Sequence, residues 1–131
     1  MRPIARNFFV SAIVYGMLGM VLGIAMAMRH DHAELPTHAH IMVVGWLSFA
    51  IFGFFYALLG NAVPRKLALT HFWLAQVSLA VLVVGLGLYY AGETQFEPLA
   101  AIGSIGYAAS FFVFAYAAFK VMRPPASAAR S

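Results

Sequence analysis

Residues 35–64, LPTHAHIMVVGWLSFAIFGFFYALLGNAVP, run for thirty positions without an Asp, Glu, Lys or Arg. A bilayer hydrocarbon core of about 30 Å is crossed by roughly 20 apolar helical residues, so this stretch is long enough to span a membrane. Three others share its character: Asn7 to Met28, Leu67 to Gly92 and Pro98 to Phe119. Lipid offers backbone groups no water to bond, which leaves helices or a closed barrel as the spanning structures. The runs lack the alternation of barrel strands, and four strands are too few to close one. The sequence therefore predicts an all-α integral membrane protein with four transmembrane helices, at about 5–28, 37–60, 67–90 and 98–121. These form a single domain over residues 1–123, and a flexible Ala/Ser-rich tail over 124–131 follows Pro124-Pro125.

Composition agrees with that division. The 131 residues are 63% hydrophobic and 9% charged, against about 25% charged in a soluble domain, so water cannot be the solvent for this surface. The absence of cysteine excludes disulfides, thiolate metal sites and a cysteine nucleophile. The first apolar run is too long for the core of a signal peptide, and Arg29-His30-Asp31-His32 after it is no cleavage site. Pro36 and Thr37 open the second helix, with Thr37 as the expected N-cap. Asn61 to Arg65 breaks the second span from the third, and Ala91 to Gln95 the third from the fourth.

The charges give a direction. Arg2, Arg6, Arg65, Lys66, Lys120, Arg123 and Arg130 fall at the N-terminus, the second loop and the C-terminus. Only Arg29 lies at the other end, together with all four acids, Asp31, Glu34, Glu93 and Glu97. The positive-inside rule places both termini in the cytoplasm. The basic pI near 9.8 is then a topology signal, not a nucleic-acid footprint. The lipid bilayer is the expected environment, and a bacterial inner membrane the expected location.

Four of the five histidines sit in one short segment, from His30 through His32 and His38 to His40, at the outer start of the second span. Ionisable groups inside membrane spans are costly, which makes His38 and His40 functional candidates, whereas His30 and His32 read first as solvated interfacial residues. Residues i and i+2 of an α-helix diverge by about 200°, so two helical histidines at 38 and 40 cannot chelate one ion but can each ligate a different centre. Met42, Gly45, Phe49, Phe52 and Tyr56 follow on the His38 face, and Val44, Leu47, Ile51, Phe54 and Leu58 on the His40 face. Gly45 is expected to clear space for a flat macrocycle, and Arg29 to pair with its carboxylates as readily as to anchor at the interface. Gly16, Gly19 and Gly23 on the first span, and Gly103 and Gly106 on the fourth, read as close helix contacts. His71, one core thickness away, reads as a structural hydrogen bonder.

His38-Ala39-His40 with Gly45-Trp46, then Phe52-Gly53-Phe54-Phe55-Tyr56 and His71-Phe72-Trp73 one helix later, resembles heme-copper oxidase catalytic subunits, the cbb-type branch most closely. The resemblance covers about residues 37–90. It implies heme ligation by both outer histidines and identifies the chain with one of the family's three four-helix arcs. The expectation is a homotrimer with one heme b in each interface, held by His38 of one protomer and His40 of the next. The family's copper site needs a further histidine and an adjacent His-His pair; this sequence has neither, so oxidase chemistry is not expected of the chain by itself.

Two other readings stay open. His30, Asp31, His32 and Glu34 with the His38/His40 pair could form a copper or zinc site on the outer face, provided residues 38–40 are not helical or the preceding segment folds back. A cofactor-free assembly factor is the third. The leading reading is a small membrane cytochrome b for electron transfer or for binding a gas such as oxygen or nitric oxide, with an unidentified electron partner.

Overall fold

A computed structural model describes residues 1–126, which are helical throughout apart from short connections. The last part of the predicted tail, 127–131, lies outside the described residues. Four helices are long and apolar enough to cross a membrane: Pro3–Arg29, Leu35–Ala62, Arg65–Tyr90 and Thr94–Met122. Each contains one of the predicted spans.

The first span is α1 (Pro3–Arg29). It starts on Pro3, whose missing N–H costs nothing in a first turn. The second span has three parts: α2 (Leu35–His40), a π-helical segment (Ile41–Leu47) and α3 (Ser48–Leu59), closed by a 3₁₀ turn at Gly60–Ala62. The third is α4 (Arg65–Tyr90), and the fourth is a 3₁₀ turn (Thr94–Phe96) leading into α5 (Glu97–Met122).

The two connections at the histidine end close their helix in the same way. The His30 N–H bonds the Ala27 carbonyl and the Asp31 N–H bonds the Met26 carbonyl; Gly92 and Glu93 repeat the pattern on Tyr89 and Leu88. This double bond pattern needs a left-handed residue at the turn. Gly92 supplies it at φ +104°, and His30 supplies it at φ 53°.

The π segment is the departure from the predicted regular helix. Each turn there carries an extra residue, so carbonyls fall out of α-helical register inside an apolar medium. Side chains bond two of them: Ser48 Oγ donates to the Val43 carbonyl at 2.8 Å, and the Tyr107 hydroxyl reaches the Val44 carbonyl at 3.5 Å.

Packing follows two hairpins. In α4–α5 the backbones meet: a methyl group on Gly103 would lie 2.6 Å from Leu82 Cα, and one on Gly85 2.9 Å from Ala100 Cα. In the other hairpin α1 lies against the second span. Between the hairpins is an aromatic layer in which Phe8 stacks on Tyr56 at 5.4 Å and meets Phe49, Phe52 and Phe72 edge-on. Phe8, Phe49, Phe52, Tyr56 and Leu79 are fully buried there. The outer surface is apolar: Val21, Ile24, Ile105 and Phe112 are all more than 60% exposed. With this surface and four spans, the chain is an integral membrane protein.

Candidate functional site

The loop between the first two spans is built before the histidines are placed. The Asp31 carboxylate accepts the Ala33 N–H at 3.0 Å, a local turn bond that short acidic side chains favour. Thr37 is buried within α2, and its hydroxyl donates to the Glu34 carboxylate at 2.6 Å. Glu34 thus stands at the N-cap position, and Thr37, expected there, lies three residues inside the helix. Pro36 in the first turn needs no hydrogen-bond partner for its nitrogen and begins the helix two residues earlier than expected.

His38 and His40 are both on α-helical backbone, so their side chains diverge, as the spacing predicts. His38 turns to α1. Its Nδ1–H donates to the Gly19 carbonyl at 2.8 Å. A methyl group on Gly23 would lie 2.9 Å from His38 Cε1, so the imidazole fits there because Gly23 has no side chain. Met42 and Trp46 continue the pattern, seated on Gly19 and Gly16. Gly23, Gly19 and Gly16 of α1 therefore receive His38, Met42 and Trp46 in order. His40 bonds along its own helix, Nδ1–H to the Pro36 carbonyl at 2.7 Å. A carbonyl can only accept, so both rings carry their proton on Nδ1. Each Nε2 makes no hydrogen bond to the described residues and is not buried.

The two faces below the histidines differ. Phe49, Phe52 and Tyr56, on the His38 side, are buried in the aromatic layer, whereas Leu47, Ile51, Phe54 and Leu58, on the His40 side, are more than half exposed. At Gly45 a methyl group would lie 2.7 Å from Tyr15 Cγ, so this glycine admits the Tyr15 ring. Arg29 lies in the last turn of α1, where a cation favours the helix dipole, and borders a crevice of about 70 Å³ with Asp31 and Glu34. His30 is the left-handed residue of the α1 turn, and His32 is exposed, its carbonyl accepting the Leu35 N–H at 3.1 Å. Among the described residues, no three His, Asp or Glu side chains come together to share a metal ion.

His71 is fully buried at the other end of the bundle. Its Nδ1 shares a 3.0 Å hydrogen bond with the Tyr56 hydroxyl, the structural bond expected of it. Phe8, Phe52 and Phe114 surround the ring, and its Nε2 has no partner among the described residues. Gln76 donates to the Tyr15 hydroxyl at 3.3 Å, which ties α4 to the ring that fills Gly45. Neither pairing has a local signature, because each joins residues from different spans. The glycine seats had one in the small-residue spacing, although spacing does not name which side chain occupies each seat.

Fold and site together define a four-span membrane protein with two oriented imidazoles at one end of its second span. Comparison with family models, with curated proteins and with solved structures finds no match.

Proposed function

We propose that the chain is a small integral-membrane cytochrome that binds heme b through Nε2 of His38 and of His40. The observation that carries this reading is the pair of committed Nδ1 protons. Histidines that ligate a metal characteristically donate the other ring N–H to a carbonyl or carboxylate, which fixes the tautomer and orients the ring. Here two rings within a single turn of one span have that arrangement, each with its own carbonyl.

Heme, when bound, supplies a one-electron couple and a site for a diatomic gas. The chain's part is to orient two imidazoles through their Nδ1–H bonds, aimed away from each other. Because they diverge, one heme cannot take both from the same copy. The proposed assembly is a homotrimer in a bacterial inner membrane, with the basic end in the cytoplasm. Each interface pairs His38 of one copy with His40 of the next. The exposed face that runs from Leu47 to Leu58 supplies apolar surface for a neighbouring copy. Ligation by two histidines favours electron transfer; a free sixth position would favour gas binding.

Purified protein should give a b-type pyridine hemochrome spectrum. His38→Ala and His40→Ala should each remove most of the bound heme while leaving the helical circular dichroism intact. A colourless wild-type protein, a spectrum unchanged in both variants, or stoichiometric copper or zinc without heme would each overturn the reading. A carbon monoxide difference spectrum of the reduced protein separates gas binding from electron transfer.

A further inference from the structure

The end of the bundle opposite the histidines contains a cavity of about 560 Å³, bordered by Arg2, Ile4, Asn7, Gly60, Val63 and Arg65 among others. That volume is in the range of small-molecule sites. Two arginines share its wall, and all four acidic side chains of the chain lie at the other end, so no aspartate or glutamate neutralises them. The Arg2 stem passes over Gly60: a methyl group there would lie 3.3 Å from Arg2 Cδ. The cavity is also where α1 and α4 begin. Neither N-terminus has a side-chain cap or an acidic residue in its first turn, so the positive ends of both helix dipoles are uncompensated.

A second space adjoins this one. A cavity of about 390 Å³ between α1 and α4 is bordered by Arg6, Val10, Ser11, Phe72 and Trp73, and Asn7 belongs to the wall of both. A charged chamber at the helix ends thus meets a mixed crevice, polar at Arg6, Asn7 and Ser11 and apolar at Val10, Phe72 and Trp73. Free phosphate would use only the first; a phospholipid would use both, with its phosphodiester between the guanidinium groups and an acyl chain along Phe72 and Trp73. Basic pockets between membrane helices are a recurring way to hold anionic head groups.

We infer that Arg2, Arg65 and Asn7 form a binding site for one anionic phospholipid, whose acyl chain occupies the crevice between α1 and α4. The site is separate from the histidines and does not depend on heme.

Native mass spectrometry of the full chain in detergent tests this with three probes: phosphatidylglycerol, phosphatidylcholine and inorganic phosphate. The expected result is one retained phosphatidylglycerol, preferred over phosphatidylcholine by roughly tenfold or more, as two basic contacts provide. Arg2→Gln with Arg65→Gln should abolish that preference. Both side chains are exposed at helix ends, so circular dichroism should not change. Lys120→Gln with Arg123→Gln, basic residues on a different cavity of about 130 Å³, should leave it intact. Equal retention of the two lipids, or equal loss from both pairs of variants, would overturn the site. Displacement of the lipid by millimolar phosphate would overturn the acyl-chain assignment and leave a phosphate site only.

Discussion

His38 Nδ1 lies 2.8 Å from the carbonyl oxygen of Gly19, across the contact between α1 and the second span. That carbonyl belongs to a helix interior, where a side chain four residues further on usually shields it. Gly23 is the residue four further on, and it has none. One bond therefore fixes three things together: the His38 tautomer, its ring orientation and the closeness of two spans.

Gly23→Ala should break this arrangement. The added methyl would lie 2.9 Å from His38 Cε1 and 3.3 Å from Nδ1, so the ring must move. A loss of about 1–3 kcal/mol is expected from such overpacking. Thermal unfolding in detergent measures it, and on the proposed function heme content should fall in parallel. Gly87→Ala is the matched control. Its methyl would meet nothing nearer than Thr37 Cγ2 at 3.9 Å, so the variant should match wild type or gain up to about 1 kcal/mol of helix propensity.

Gly103→Val should separate α4 from α5. The position faces Leu82 backbone, which cannot rotate away as a side chain can. The expected cost is about 3 kcal/mol, read as a lower melting temperature, with Gly85→Val behaving alike.

His30→Gly should be neutral or stabilising, by about 1 kcal/mol, because His30 holds a left-handed conformation that glycine adopts without strain. Heme content should not change. A large loss of heme in this variant would show that His30 has a ligand role after all.

Tyr56→Phe should cost about 1–3 kcal/mol, since it leaves His71 with two unpartnered ring nitrogens in an aromatic layer. Adding His71→Phe removes the polar ring itself. The double variant should be more stable than Tyr56→Phe alone, measured as a double-mutant cycle by thermal melting. Additive losses would mean that His71 is held by something other than Tyr56.

The spans were legible because charge is scarce: one Arg or Asp in an apolar run marks an end, and Arg29 and Arg65 do so within a residue or two. The divergence of His38 and His40 was legible because it depends only on helical geometry. Thr37 misled because N-cap preference is a statement about residue type, and Pro36 moved the start upstream. Gly45 is less directly readable. A missing side chain signals that something comes close, and composition alone does not say whether that is a ligand or, as here, Tyr15. The Tyr56–His71 pair and the π segment were not legible. One is a contact between separate spans. The other has no compositional mark, because Ser48 and Tyr107 bond its carbonyls from outside.

The π segment has a consequence for how the second span can be altered. Each residue of an α-helix turns the chain by about 100°, so a single residue accommodated within the π segment changes the rotational phase of everything beyond it. The outer end, with His38 on α1, and the inner end, with Phe52 and Tyr56 on the aromatic layer, are each aligned to a different neighbour. Removing one residue between Ile41 and Leu47 would let the helix run straight and leave only one end correctly aimed. The irregular turn acts as a coupling between two rotational settings that a regular helix of this sequence could not satisfy together.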